Sequence, residues 1–250
     1  KQMGEMKGKL SYPRRGMGEL PRGLASAFAS QGGSVEVNSE VTKIEVDGDR
    51  VSGMTYVEDG EKKDMETSTV VSTIPFKDLP NIVDLPREYR DRLKKIEYTE
   101  FIIAYFGLDS RITEQDFMVL VPKKEGLSLT SFVEVSNISK DLAPNGKSLF
   151  AATGTSYTVS ETNDEKVLGL FIEDLNSLFP GFEEKINWKK LIRMPYVAIT
   201  KEYPLMKLDF TSSIRGLYIT GSQMFPIPGM PEAIVSGHTV SGLITQNLSS

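Results

Sequence analysis

The sequence predicts an α/β protein with a mixed or antiparallel sheet flanked by helices, and three observations support this fold class. A short apolar strand (216–220), a loop rich in Gly and Pro (221–230) and a helix opening with Pro231 follow one another near the C-terminus. A helix, a hairpin and an apolar strand form a second compact unit over about residues 11–75. Several strand-like runs and a long amphipathic helix lie between these two regions. Strands that alternate with helices are typical of α/β architecture.

Composition excludes several classes of function. The chain has 250 residues, of which 39% are apolar and 25% charged, as in ordinary globular proteins. Its net charge of −5, without a clustered basic face, argues against nucleic-acid binding. It has no cysteine and only one histidine, His238, which removes thiol chemistry and most metal and Ser-His sites. No membrane span or signal peptide is visible, so the predicted compartment is the cytoplasm.

The first predicted unit contains one helix and several strands. The helix covers Glu19–Ser30 and ends at Gly32-Gly33. Four of its apolar residues fall at helical spacing on one face; they are Leu20, Leu24, Ala27 and Phe28. Three strand-like runs follow, at 34–37, 41–46 and 50–57, and the last two form a hairpin around Asp47-Gly48-Asp49. A continuous apolar strand at 69–74 then stops at Pro75.

The central region predicts a sheet and its best helix. A charged helix covers about residues 86–96. Four strand-like runs with turn residues between them predict a mixed or antiparallel sheet of about four strands; they are 98–108, 117–121, 128–135 and 147–157. A long amphipathic helix at 161–179 is ended by Pro180-Gly181, and a strand at 188–200 contains Pro195, which implies an edge or a bend.

Two motifs resemble those of a known family. The C-terminal run GLYITG, followed by GMPEAIVSG, is similar to the flavin-contacting segment of the FAD-dependent amine oxidase, protoporphyrinogen oxidase and phytoene desaturase superfamily. The run YPRRGMGEL at 12–20, followed by Gly32-Gly33 and Val41-Thr-Lys-Ile44, resembles a second segment of that family. The resemblance implies an FAD-binding, Rossmann-like domain at 11–80 and 207–250, interrupted by a substrate-binding domain at 81–206.

The resemblance also implies an activity and an incomplete cofactor site. It implies an FAD-dependent oxidoreductase that moves a hydride from a small apolar or amine-containing substrate to FAD. The family pattern begins with a strand and GxGxxG, which this sequence lacks. We therefore expect the chain to be the C-terminal portion of a longer flavoprotein. Alone, it should be inactive and should hold FAD weakly or not at all.

The resemblance assigns cofactor contacts to seven positions. Gly221 and Ser222 would meet the ribityl or phosphate part of FAD, although the family commonly has Asp or Glu where Ser222 stands. A helix start would face the flavin pyrimidine, and it comprises Gly229, Met230, Pro231 and Ala233. The backbone of Val41 would meet the adenine. Ordinary alternatives are a strand-end turn, a Pro-capped surface helix and a core strand residue.

Other interpretations stay open from sequence alone. A non-redox flavin isomerase of the sugar-mutase type shares the C-terminal pattern loosely, and a non-catalytic binding module that has lost flavin is possible. No catalytic acid or base and no metal ligand can be named. Arg14 and Arg15 could meet an anionic group or lie solvated at the surface. An uncovered sheet edge could also pair two copies into a homodimer.

Overall fold

The structure is a computed structural model that describes residues 12–199, 209–225 and 229–248. The last residue of the strand predicted at 188–200 and residues 226–228 of the predicted loop rich in Gly and Pro lie outside the described residues. The chain divides into two compact units, each made of two segments: Lys1–Val35 with Phe101–Arg193, and Glu36–Glu100 with Met194–Ser250. The domains predicted at 11–80, 81–206 and 207–250 are defined by what they would bind, FAD or substrate. They therefore stay a prediction.

Helices and strands alternate along the chain, as predicted. The first half contains α1 (Glu19–Ser30), β1 (Ser39–Asp47), β2 (Arg50–Glu58), β3 (Glu61–Glu66), β4 (Val70–Ser72), α2 (Arg87–Lys94) and β5 (Tyr98–Leu108). The second half contains β6 (Val119–Leu120), β7 (Ser131–Glu134), α3 (Val135–Ile138), β8 (Ser148–Thr155), α4 (Asp164–Leu178), β9 (Ile186–Ile199), β10 (Leu217–Ile219) and α5 (Met230–Leu248). This mixture of helices with antiparallel and parallel strands confirms the α/β fold class.

The first unit is built on a five-stranded sheet in the order β6-β7-β8-β5-β9. The pairs β6–β7, β7–β8 and β5–β8 are antiparallel. The sequence predicted about four strands in this sheet, and β9 adds a fifth at one edge. Pro195 lies in this edge strand, where its missing N–H does not interrupt the hydrogen bonds of a central strand. The predicted strand 117–121 shrinks to β6, because Phe117 and Met118 point largely into solvent and gain nothing from pairing.

Aromatic side chains dominate the core of the first unit. Phe150 is fully buried, and its ring lies 5.2 Å from that of Phe182 and 5.7 Å from that of Phe132, measured between centroids. The apolar face of α4 covers these rings with five buried residues; they are Val167, Leu168, Phe171, Ile172 and Leu175. The side chain of Asn163 accepts a hydrogen bond from the Lys166 amide, which fixes the start of this helix.

The second unit contains a three-stranded antiparallel sheet, β1-β2-β3, and a two-stranded parallel sheet, β4-β10. The β1–β2 hairpin was predicted, but β3 was missed because all six of its residues are exposed and lack apolar alternation. Cross-strand contacts hold β3 instead: Thr55 donates to Asp64 at 2.7 Å, and Lys63 pairs with Glu58.

Residues 19–37 match the sequence prediction in the helix but not in the strand that was predicted after it. The bounds of α1 are as predicted, yet its apolar face is not buried: Leu20 is 36%, Leu24 57% and Phe28 54% exposed. Helical spacing identifies an apolar face but not the surface that covers it. The predicted strand at 34–37 is absent, because no described strand pairs with it and Val35 and Val37 are exposed.

The buried phenol of Tyr89 gives a stability prediction. Its oxygen has no hydrogen-bond partner among the described residues, and burial raises the pKa of Tyr89 to about 12. We expect Tyr89→Phe to be about 1 kcal/mol more stable at pH 7, because a polar group without a partner is removed. The unfolded tyrosine loses its proton first as the pH rises past about 10, so the native protein should lose stability there and the variant less.

Urea denaturation at pH 7 and pH 10.5 checks this prediction. Tyr157→Phe is the matched control, because Tyr157 is 64% exposed and its stability should change little. A Tyr89→Phe variant that is less stable than the native chain at pH 7 would contradict the expectation.

Candidate functional site

The candidate site lies where β4 and β10 end side by side. These strands are parallel and in register from Val70 opposite Leu217 to Ser72 opposite Ile219. All three residues of β10 are buried, which fits a continuous apolar run in a parallel sheet. Ligands of open α/β sheets bind at the carboxyl ends of such strands. The segments that follow β4 and β10 therefore form the candidate ligand-binding surface.

Gly221 turns the chain directly after β10. Its φ of 128° and ψ of 171° lie in a region that is essentially restricted to glycine. A Cβ built there would have no heavy atom closer than 3.7 Å, so conformation rather than crowding requires glycine. A short 3₁₀ turn, Ser222–Met224, follows, and its first residue, Ser222, is half-buried. The two predicted residues thus form one turn that leaves the Gly221 backbone approachable.

A buried serine that the sequence analysis missed ties this turn to α5. Ser236 is fully buried, and its hydroxyl accepts hydrogen bonds from the Gly221 amide at 2.9 Å and the Thr220 hydroxyl at 2.8 Å. The same hydroxyl donates to the Ala233 carbonyl at 3.0 Å. Ser236 lies on the inward face of α5, where Val240 is also buried. Its position on that face is the only feature of the sequence that could have indicated its role. Ser236 therefore brings Gly221 and Ala233 together.

The start of α5 contains the remaining predicted contacts on this side. The helix begins at Met230, one residue before the predicted start at Pro231. Its first turn is closed by the hydrogen bond from the Ala233 amide to the Gly229 carbonyl, at 3.0 Å. Glu232 lies in that turn, where a carboxylate complements the helix dipole. Ala233 is exposed, so no described side chain covers it.

A second missed group lies across from Gly221. The Tyr98 hydroxyl is 2.6 Å from Gln223 Oε1, and it accepts a hydrogen bond from the Phe76 amide at 2.8 Å. The Gln223 side-chain amide donates to the Ile74 carbonyl at 2.7 Å. These bonds fix the turn after β10 to the residues that follow β4. Sequence could not reveal them, because the partners are more than a hundred residues apart.

Val41 lies in a separate part of the same unit. It is half-buried on β1, opposite Tyr56, and it lines a mostly apolar cavity of about 400 Å³ with residues of β2, β3 and β4. Ile74 lines this cavity and also accepts the hydrogen bond from Gln223. The structure thus links Val41 to the Gly221 turn through one residue, although it does not place the two side by side.

The described residues set two limits on the chemistry. They contain no group of three or more His, Asp or Glu side chains arranged to hold a metal ion. None of their helices is long and apolar enough to cross a lipid bilayer. Apart from the Glu232 carboxylate at the start of α5, the site consists of backbone groups, hydroxyls and one amide side chain, which suits binding of a preformed cofactor better than acid–base catalysis by the protein itself.

Comparison with known proteins identifies the family. The sequence model described as "Flavin containing amine oxidoreductase" matches residues 2–245. The chain belongs to this family. The predicted resemblance to FAD-dependent amine oxidases and their relatives is confirmed by this match, and the flavoprotein character of the family follows from its description.

Three proteins illustrate what the chain is similar to. Prolycopene isomerase 2 of an Oncidium hybrid cultivar is 24% identical over 270 residues, which cover 92% of this chain and 45% of that protein. An oxidoreductase from Methanosarcina mazei has a TM-score of 0.70 at 17% identity, with 90% of this chain and 54% of that chain covered. Reduced UDP-galactopyranose mutase has a TM-score of 0.65 at 15% identity, with 84% and 46% covered.

These similarities concern part of each relative only. The chain spans less than half the length of the curated relatives that it matches. Both structural neighbours are below 20% identity, so they show a shared fold. The printed names of the three similar proteins are those of an oxidoreductase, an isomerase and a mutase, which are chemically different activities.

Proposed function

We propose that this chain forms part of an FAD-dependent oxidoreductase of the desaturase or oxidase type, which takes a hydride from a small apolar or amine-containing substrate. The observation that supports this most is the turn at Gly221, held between Ser236 on α5 and Gln223, at the carboxyl ends of two parallel strands. Membership of the flavin-containing family supplies the cofactor class.

The residues at this turn fit the requirements of a flavin cofactor. Gly221 has no side chain in the way, and its conformation excludes other residues. Ser222 would bind a phosphate or ribityl oxygen through its hydroxyl in place of the carboxylate that the family commonly has. The first turn of α5 would stabilise negative charge on the ring system by about 1 kcal/mol. The predicted contacts there are Gly229, just before the helix, and Met230, Pro231 and Ala233 within its first turn.

The roles of the protein and the cofactor would be separate. FAD, when bound, supplies the hydride-accepting chemistry. The chain's own residues would orient and shield the cofactor. Gly221 and Ser222 would contact it from one side, and the exposed Ala233 would permit its close approach. The backbone of Val41 would contact it at the apolar cavity. We extend this proposal to the domains: residues 11–80 and 207–250 would bind FAD, and residues 81–206 would bind substrate.

A flavin-dependent isomerase of non-redox type is the second candidate. The printed names of prolycopene isomerase and UDP-galactopyranose mutase favour it. Both activities would use the same flavin-contacting turn, so its geometry does not separate them. A homodimer and a cytoplasmic location remain proposals from the sequence, and the matched plant relatives are named as chloroplastic.

An anaerobic spectral titration separates the two candidates. The flavin-loaded, full-length protein is mixed with amine and polyene substrates without an added electron acceptor. We expect loss of the oxidised-flavin absorbance in proportion to product, because net hydride transfer has no other acceptor. Product formation with an unchanged spectrum would instead assign isomerisation. No product and no bleaching across both substrate classes would contradict the oxidoreductase proposal.

A further inference from the structure

Three cationic side chains surround a cavity in the first unit that has no part in the flavin proposal. The cavity has a volume of about 280 Å³ and lies between α3, the turn before β8 and the segment after β5. Arg111, Lys140 and Lys147 line it, together with polar groups such as Asn145. None of the described residues that line it is acidic, although the chain as a whole has a net charge of −5.

Local structure explains why these cations converge. Lys140 starts a short 3₁₀ turn after α3, and Gly146, with a φ of 76°, reverses the chain just before Lys147. The hydrogen bond from the Lys147 amide to the Pro144 carbonyl, at 3.0 Å, closes that reversal. The two lysines and Arg111, from the segment after β5, therefore all line the same cavity.

The nearby carboxylates are occupied or exposed. Glu134 is 1% exposed and lies behind Ser148, where it accepts hydrogen bonds from the amides of Ile112, at 3.0 Å, and Thr113, at 2.6 Å, and from the Ser148 hydroxyl. These donors satisfy the Glu134 carboxylate, and among them only Ser148 lines the cavity, so Glu134 itself is not part of the cavity lining. The ion-pair partners of Arg111 and Lys147 are Glu114 and Asp109, whose side chains are 87% and 49% exposed. Exposed pairs of this kind contribute little and compete weakly with a ligand.

Two further features bear on the charged groups around Lys140. The Lys140 side chain makes no ion pair or hydrogen bond with any described residue. Ser139, the residue before Lys140, donates its hydroxyl hydrogen to the Arg14 carbonyl at 2.6 Å, which joins the loop that contains Arg14 and Arg15 to the segment of Lys140. Asp141 and Glu19 are the acidic residues next to these two segments in sequence, and Glu19 accepts a hydrogen bond from the Arg15 amide.

We propose that this cavity binds the phosphate group of a small molecule with at least two negative charges. Two lysines and one arginine around a small space suit the several oxygens of a phosphate, because ammonium groups act as point charges and need no planar partner. A planar carboxylate would use the arginine alone in its preferred bidentate geometry. The site is independent of the flavin-contacting turn, which lies in the other unit.

A titration of the isotope-labelled chain with inorganic pyrophosphate tests the proposal. We expect saturable amide shifts centred on Arg111, Lys140, Gly146 and Lys147. The double variant Lys140→Ala with Lys147→Ala should bind about tenfold more weakly, because two charge contacts are lost. The double variant Lys123→Ala with Lys124→Ala is the control: it removes the same charge from a surface turn elsewhere in this unit and should leave binding unchanged.

The source of the phosphate is distinguished by a second arm. The chain is sedimented with phosphatidylcholine vesicles that contain phosphatidic acid. Sedimentation that is lost only in the Lys140→Ala, Lys147→Ala variant assigns a lipid headgroup. Binding of pyrophosphate without sedimentation assigns a soluble compound. Absence of saturable shifts with pyrophosphate would overturn the proposal. Equal weakening by the two double variants would also overturn it, because it would indicate non-specific attraction by net charge.

Discussion

Gly216→Ala should destabilise the second unit by roughly 3–5 kcal/mol, from strain and steric overlap together. Gly216 has a φ of 84°, where a side chain is strained. A Cβ at this position would lie 2.1 Å from the Ser68 carbonyl oxygen, which is backbone and cannot move aside as a flexible side chain could. The Gly216 carbonyl also accepts the Val70 amide at 2.8 Å, so a backbone shift would disturb the start of the parallel pair.

Gly60→Ala is a closely matched control for this effect. Gly60 has the same φ of 84° and lies in the same unit, but a Cβ there would have no heavy atom within 4 Å. Its expected cost is about 1 kcal/mol, from backbone strain alone. Urea denaturation followed by circular dichroism, with hydrogen exchange of the β4 and β10 amides, measures the difference. Equal destabilisation by the two variants would contradict the steric argument.

Ser236→Ala should cost about 2–4 kcal/mol and should loosen the turn at Gly221. The substitution removes the acceptor of two groups, the Gly221 amide and the Thr220 hydroxyl. Thr220 and Ser236 are almost completely buried, so water does not easily replace the lost acceptor. Each polar group left without a partner costs about 1–3 kcal/mol. The Gly221 amide should therefore exchange its hydrogen faster in the variant.

The control for this variant is Ser177→Ala in α4. The Ser177 hydroxyl donates to the Asp174 carbonyl three residues earlier, as the Ser236 hydroxyl does to Ala233, but it is exposed and holds no second segment. Its stability should change by less than about 0.5 kcal/mol. Unchanged Gly221 exchange in Ser236→Ala would show that the serine does not hold the turn.

Sequence predicted the elements that depend on local pattern. The bounds of α1 and β5 were obtained correctly, since helical spacing and a long β-rich run mark them without help from distant residues. The strand β3 was missed because its charged residues show no alternation and are held by pairing with β2. The uncovered face of α1 shows the same limit: pattern predicts which residues are apolar, not what they pack against.

In the candidate site, too, sequence predicted what depends on a local motif and missed what depends on contacts between distant segments. Gly221 was predicted from a motif, and its backbone conformation gives a physical reason for glycine. Ser236, Gln223 and Tyr98 were not predicted, because their roles depend on hydrogen bonds between segments that only folding brings together. No local pattern distinguishes such a serine or glutamine from a surface one. The missed residues are therefore those that hold the turn, whereas the predicted ones form it.

The central claim is that the turn after β10 and the first turn of α5 form part of an FAD site that this chain does not complete. Its most direct test is a titration of the labelled chain with FAD, followed by gel filtration. The account predicts fast-exchange shifts at the amides of Gly221, Ser222 and Ala233 at high FAD, and no flavin absorbance in the protein peak after filtration. Shifts confined to other regions, or stoichiometric flavin that co-elutes with the chain, would contradict it.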